Sequence, residues 1–177
     1  MKNIFITGGA GYIGSHCVIS LAKRGFNPII IDNFSNSHQS TIKKLENIIK
    51  KKIVFYDVDL INKKKLNQIF KVHSCYAVIH CAGYKSVTES NKNPIFYFNN
   101  NIGSLLSLID CMKNNNVFKI IFSSSATVYD YNQNLPLKEN GKIGNINNPY
   151  GNSKYIIEQI LIDLSKLRPS LSLLTTP

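Results

Sequence analysis

The 177-residue chain holds no apolar run approaching the ~20 residues a membrane span needs, so no spanning helix is expected within it. It lacks a signal-peptide cleavage region, since Lys2 leads straight into a strand pattern, so a cytoplasmic location is expected. No internal repeat and no low-complexity linker breaks it up, and its length suits one domain. Cysteine is sparse. Cys17, Cys75, Cys81 and Cys111 form no C-x-x-C pair and each adjoins an apolar segment, so reduced, mostly buried thiols are expected. His16, His38, His73 and His80 show no metal-ligand spacing, and no metal is expected. Acidic residues are few: 10 Asp and Glu face 21 Lys and Arg, a net charge of +11. Such a balance can serve nucleic acid or an anionic ligand. The lysines, however, spread through polar segments (43–44, 50–52, 63–65), and the chain is rich in Asn, Ile and Lys, as an AT-rich genome favours. The charge therefore reads as composition, with no nucleic-acid or membrane partner expected. An anionic cofactor and substrate still benefit from the field.

What is present centres on residues 4–14, Ile4-Phe5-Ile6-Thr7-Gly8-Gly9-Ala10-Gly11-Tyr12-Ile13-Gly14, where an apolar run ends in a glycine cluster and a helical pattern begins. Gly9, Gly11 and Gly14 spell G-x-G-x-x-G, while Gly8, Gly11 and Gly14 spell the looser G-x-x-G-x-x-G. Either way the glycines permit a tight strand-to-helix turn, backbone approach to a pyrophosphate and close helix–strand packing. The N–H groups and dipole of the helix N-terminus then meet the phosphates.

Strand and helix patterns alternate along the rest. Strands are expected at Lys2–Thr7, Asn27–Ile31, Ile53–Tyr56, Ala77–Cys81, Ile120–Ser123 and Leu171–Thr175. Helices are expected at Tyr12–Arg24 (with Ile13, Cys17 and Leu21 as its apolar stripe), Gln39–Lys50, Asn62–Val72, about Pro94 to Asn114, and Tyr150–Leu167. Residues 33–37 form a polar loop and 130–149 an excursion. This order implies an α/β fold, a Rossmann-like doubly wound parallel sheet of five to six strands with helices on both faces. Ligands of such sheets bind beyond the strand carboxyl ends. The informative residues fall there: Gly8–Gly14, Asp32, Asp59, Ala82-Gly83 and Ser124-Ser125.

Asp32 closes the second strand, 18 residues after Gly14. A carboxylate there accepts hydrogen bonds from ribose hydroxyls and repels a 2′-phosphate, favouring NAD over NADP. Tyr150 and Lys154 form Tyr-x-x-x-Lys, which places both on one helix face. A tyrosine of pKa ~10 must fall by about three units, ~4 kcal/mol, to act as a base near neutrality, and a nearby ammonium favours that. A hydroxyl of Ser123-Ser124-Ser125 can bond the reacting oxygen and relay its proton to Tyr150. Physics alone leaves the choice among the three serines open.

The stretches ITGGAGYIGSH (6–16), IDNFSNS (31–37), IHCAGYKSVTES (79–90), FSSSATVY (122–129), PYGNSK (149–154) and EQIL (158–161) carry a resemblance. From residue 3 to about 169 the chain resembles the extended short-chain dehydrogenase/reductases, in the NAD-dependent epimerase/dehydratase family. Residues 82–90 and 124–129 look like its UDP-sugar 4-epimerase branch. The resemblance implies that Gly8, Gly11, Tyr12, Ile13 and Gly14 line the NAD pyrophosphate. Asp32, Asn33, Phe34, Ser35, Asn36 and Ser37 would surround the adenosine ribose, and Asp59 and Leu60 would flank the adenine. Cys81, Ala82, Gly83, Tyr84, Lys85 and Asn100 would line the middle of the cofactor. Ser125, Tyr150 and Lys154 would be the catalytic set, with Ser125 and Tyr150 touching substrate and Tyr150 and Lys154 also touching NAD. In the implied reaction, Tyr150 takes the proton of the sugar 4-hydroxyl as hydride passes to NAD. The 4-keto sugar turns over and hydride returns to its other face, interconverting UDP-glucose and UDP-galactose.

Sister dehydratases carry an Asp-Glu pair where this chain has Ala126 and Thr127, and neither residue moves a proton at neutral pH. Three departures stand out. Asp130 replaces a usual Gly, and Gly103-Ser104 replaces an Asn-Gly pair. The family is also about twice this length, and its C-terminal half clasps the UDP-sugar. Residues 1–177 therefore read as a single NAD-binding Rossmann domain without the substrate domain. A homodimer is compatible with the resemblance. The rival readings are a non-catalytic remnant that at most binds NAD, and another NAD-dependent nucleotide-sugar epimerase/dehydratase.

Overall fold

The computed structural model describes residues 1–167 and 172–176. Six parallel strands form one sheet: β1 (Asn3–Thr7), β2 (Asn27–Asp32), β3 (Val54–Asp57), β4 (Cys75–His80), β5 (Lys119–Ser123) and β6 (Ser172–Thr176). Their spatial order is β3-β2-β1-β4-β5-β6. Leu171, expected to open the sixth strand, lies outside the described residues, as do 168–170 and 177 of the expected domain.

Unbroken apolar runs make the central strands. Phe5, Ile6, Ile29, Ile30 and Ile31 are all fully buried, as a parallel sheet covered on both faces requires. Burying each such side chain contributes roughly 1.5–3 kcal/mol. Alternate residues serve opposite faces. Ile4, Ile6 and Ile30 pack under α1 (Tyr12–Lys23) and α2 (Ser40–Ile49), against Val18, Ile42 and Leu45. Phe5, Ile29, Ile31, Val78 and Phe122 pack under α3 (Lys63–Val72), α5 (Pro94–Asn114) and α6 (Pro149–Leu167), against Leu66, Leu105 and Leu161. The chain changes faces where it leaves β3 and re-enters at β4. The switch point therefore lies between β1 and β4, whose ends pair as Thr7 with His80.

Local signals set the helix ends. Asn62 caps α3 by accepting from Lys65 N at 3.1 Å, and Pro94 begins α5. A short helix, α4 (Val87–Lys92), went unexpected although Ser86 and Glu89 spell its cap; Ser86 Oγ accepts from Glu89 N at 3.2 Å. The apolar stripe of α1 needs correction. Ile13 is exposed, Cys17 and Leu21 are half-buried, and the inward face is Gly14 and Val18. The helix starts so close to the sheet that only glycine fits inward, which turns Ile13 toward the ligand side. The cysteine expectation is also corrected: all four are free, yet only Cys111 is buried. Among the described residues no helix is long and apolar enough to cross a membrane.

Candidate functional site

Two glycines set the turn from β1 to α1. Gly8 has φ +68, and a Cβ there would sit 2.7 Å from Ala82 N. A Cβ on Gly14 would lie 2.2 Å from Gly8 O. The tightest backbone demands fall on Gly8 and Gly14, Gly11 is the helix cap residue between them, and Gly9 is crowded too, its added Cβ 2.9 Å from the Ile30 side chain, so both glycine spacings keep a steric basis. Gly11 offers no side-chain cap, leaving the first turn of α1 open toward a ligand.

Asp32 is buried, and its carboxylate ties the turn to the loop after β2. Oδ2 accepts from Ala10 N at 2.9 Å, while Oδ1 accepts from Phe34 N at 2.9 Å and Ser37 Oγ at 3.0 Å. A carboxylate has about four acceptor positions, so one remains on Oδ2 for a ligand hydroxyl. Asp59 likewise braces the next loop, accepting from Asn33 Nδ2 at 3.0 Å and Ile61 N at 2.9 Å.

Above these turns opens a cleft of about 850 Å³. It gathers Gly8, Gly11, Tyr12, Ile13 and Gly14, then Asp32, Asn33, Ser35, Asn36 and Ser37, with Asp59 and Leu60 beyond. Its other wall is Cys81, Ala82, Gly83, Tyr84, Lys85 and Asn100. Phe34 is the exception among the expected lining residues. It takes φ 53 and turns away, edge-on to Phe55 with ring centroids 6.2 Å apart. Ile31, Val58 and Ser104 line the cleft without having been expected to. A glycine-floored cleft with a helix N-terminus and a free carboxylate acceptor fits a dinucleotide.

Ser125, Tyr150 and Lys154 do not line this cleft; they stand on β5's exit and on α6. Ser125 caps a 3-10 turn over Ala126–Val128, accepting from Thr127 Oγ1 at 2.9 Å and Thr127 N at 3.3 Å. Its own proton stays available to donate. Tyr150 is anchored by its backbone, whose N–H donates to Ser90 Oγ at 3.2 Å. Lys154 is buried; its ammonium donates to Ser123 O at 3.0 Å and lies 4.7 Å from the Phe122 ring centroid. Burial pushes Lys154 down to about 8, against a smaller upward pull from Cys81 and Glu158. Gly151 seats the helix, since a Cβ there would lie 2.8 Å from Thr127 O.

Two polar residues behind the site, Asn101 and His80, were given no role in the sequence reading. Asn101 Oδ1 accepts from Tyr84 N at 2.9 Å and Asn100 Nδ2 at 3.1 Å. Its Nδ2 donates to Tyr84 O and Ser153 Oγ, each at 3.0 Å. His80 is fully buried beside Thr7 Oγ1 at 2.7 Å, and burial pushes it down to about 3, with the Lys154 ammonium adding to the shift. Its Nε2 and Ser124 Oγ lack hydrogen-bond partners among the described residues. An Asn inside the long apolar helix pattern was the one available sign. Asp130, noted as a departure, is structural: it accepts from Asn132 N at 2.9 Å and Asn145 Nδ2 at 3.1 Å and pairs with Lys142 at 3.2 Å. These partners, the Asn132 N–H foremost, hold its carboxyl below the usual range.

A glycine-floored cleft at the switch point of a 3-2-1-4-5-6 parallel sheet defines a dinucleotide-binding domain of the Rossmann class. Residues 4–172 match the NAD dependent epimerase/dehydratase family, and the chain belongs to it. It is 48% identical over 166 residues to the UDP-glucose 4-epimerase of Dictyostelium discoideum, covering 94% of this chain and 48% of that protein. The UDP-glucose 4-epimerase of Bifidobacterium longum, solved with NAD+ and UDP, superposes with a TM-score of 0.96 at 41% identity, over 98% of this chain and 52% of that one. The Brucella ovis UDP-glucose 4-epimerase, solved with NAD, gives 0.87 at 32%, over 99% and 51%. The chain spans about half the length of the curated relatives it matches.

Proposed function

We propose that this chain is the NAD-binding half of a UDP-glucose 4-epimerase acting on UDP-galactose and UDP-glucose. The observation that carries the reading is the cleft, where residues from four strand ends converge on a glycine-floored turn with one open acceptor on Asp32. Gly8, Gly11, Tyr12, Ile13 and Gly14 hold a pyrophosphate on the helix N-terminus. Asp32 bonds a ribose hydroxyl, with Asn33 and Ser35–Ser37 around it. Asp59 and Leu60 flank the adenine, and Cys81–Lys85 with Asn100 line the middle. NAD bound there supplies a reversible hydride acceptor.

The chain's own groups handle the proton. Tyr150 holds the proton taken from the sugar 4-hydroxyl. Lys154, fixed on Ser123 O one helical turn further along α6, brings a buried positive charge to the same helix face. Ser125, accepting twice from Thr127, keeps its hydroxyl proton to orient the sugar oxygen. With Ala126 and Thr127 inside the 3-10 turn, no carboxyl pair stands there to drive dehydration. Four free cysteines suit a reducing, cytoplasmic setting.

Isothermal titration of the purified 177-residue chain with NAD and NADP tests the reading. Binding of NAD with weaker binding of NADP supports it, and equal or no binding overturns it. The same polypeptide alone is expected to turn UDP-galactose over weakly or not at all. The family's sugar-clasping half lies beyond the matched region, and remote binding energy drives the reacting centre.

A further inference from the structure

We propose that a groove at the opposite end of the sheet from the cleft binds a single-chain anionic amphiphile, a medium-chain fatty carboxylate. A second cavity, of about 560 Å³, opens there, where α1 and α2 end and where β2 and the run into β3 begin. That volume falls within the ~300–1,000 Å³ of small-molecule sites. Asn27 and Pro28 open β2, whereas Asp32 closes it at the dinucleotide cleft, and the two cavities share no lining residue.

The floor is apolar. Pro28 and Ile53 are buried, while Phe26 and Ile49 pack partly against the core around Ile30 and also line the cavity. Ile48 forms a wall and is 54% exposed. The core does not call for it. Ile42, Leu45 and Ile49 already make the inward stripe of α2, at i, i+3 and i+7.

The rim is cationic. Lys23, Lys51 and Lys52 line the cavity, all three exposed, and no acidic side chain does. Lys52 pairs with Glu46 at 3.1 Å, and Glu46 Oε1 also accepts from Ile53 N at 3.1 Å. Lys23 and Lys51 have no ion pair among the described residues. Two helix C-termini face the groove, and their carbonyls oppose an anion. At α1 that opposition is muted, because Leu21 O accepts from Arg24 N and Phe26 N, and Ala22 O from Gly25 N. Lys50, with φ 55, ends α2 and turns the chain, which brings Lys51 and Lys52 to the cavity that Ile48 and Ile49 line.

Floor and rim together select the ligand. A neutral alkyl chain leaves the lysines unused, and a small anion leaves the floor wet. A carboxylate on an alkyl chain uses both. A second copy docking through the same face would set lysine against lysine.

The test titrates the intact chain, without nucleotide, with hexanoate, octanoate and decanoate by calorimetry, so failure here and failure of the NAD reading are separate results. Affinity is expected to rise by about fourfold per added methylene. Decanoate should bind more tightly than decanol, and decanol more tightly than decylammonium, with added salt weakening decanoate alone. Ile48→Glu, or Lys23→Glu together with Lys51→Glu, is expected to weaken decanoate binding by more than about tenfold. The wild-type series is decisive by itself, so a poorly folding variant does not blunt the test. No binding, binding that ignores chain length, or equal binding of decylammonium would overturn the proposal. So would decanoate binding that survives both variants, or a concentration-dependent dimer that Ile48→Glu abolishes.

Discussion

Replacing Gly14 with Ala sets a backbone against a single methyl group. The added Cβ would stand 2.2 Å from Gly8 O and 2.8 Å from Gly9 Cα. The carbonyl must retreat by about 1 Å to reach the 3.4 Å of ordinary contact, and it belongs to the turn that carries the phosphate-facing N–H groups. Overpacking in a rigid site costs roughly 1–3 kcal/mol, and backbone neighbours place this case in the upper half. For a chain of this size that lowers Tm by about 4–12 °C. Displacing the helix N-terminus also weakens NAD binding by more than about tenfold, or ~1.4 kcal/mol. Gly103→Ala is the matched control. It sits within α5 with nothing inside 4 Å of its added Cβ, so the same change gains roughly 0.5–1 kcal/mol from a stiffer unfolded chain and leaves NAD affinity unchanged. Differential scanning calorimetry and NAD titration on both variants decide the matter. A Gly14→Ala protein that melts and binds like wild type would refute the argument, as would a Gly103→Ala protein that loses as much.

Asp32→Ala is expected to weaken NAD binding far more than Cys111→Ala, read by titration; equal losses would remove Asp32 from the cofactor site. In any longer form of the chain that turns over UDP-galactose, Tyr150→Phe should abolish turnover and leave NAD bound, and retained activity would remove Tyr150 from the base role. Lys154 carries a folded pKa of about 8 against an ordinary 10.5, so the unfolded state binds more protons between those values and wild-type stability rises with pH there. Lys154→Met should accordingly be the more stable protein at pH 7, by an amount on the order of 3 kcal/mol, with the gap narrowing above pH 8; a pH-independent gap in chemical denaturation would contradict the burial argument. Asp130→Gly should speed proteolysis within residues 131–145 while NAD affinity holds, because Asp130 gathers Asn132, Asn145 and Lys142.

The β1–α1 turn could be read from the string because its constraint is steric and local: an added Cβ at 8, 9 or 14 meets atoms closer than 3 Å. Alternation of strand and helix likewise carried the sheet, since connection handedness leaves few topologies. Ile13 misled because helical periodicity treats every apolar residue as inward, whereas a cleft recruits apolar atoms on the outward side. Phe34 was assigned with its loop, yet a left-handed φ swings one side chain away from its neighbours. Tyr150 and Lys154 were marked by spacing, but spacing does not reveal that the ammonium is used on Ser123 O. Asn101 was passed over because a polar residue in a helix ordinarily faces water, and its four hydrogen bonds reach three residues, 1, 17 and 52 positions away in sequence.

That amide has a mechanical consequence. Both lone-pair positions of its oxygen and both hydrogens of its nitrogen are taken, so it has no freedom to rotate without breaking bonds on two sides. One side is the Tyr84 backbone in the cleft wall; the other is Ser153, whose hydroxyl donates onward to Tyr150 O at 2.7 Å. The cleft wall and the helix bearing Tyr150 are thus geared to one another through a single side chain. A displacement of the 83–85 segment is transmitted as torque on the first turn of α6, and the two regions should gain or lose amide-exchange protection together.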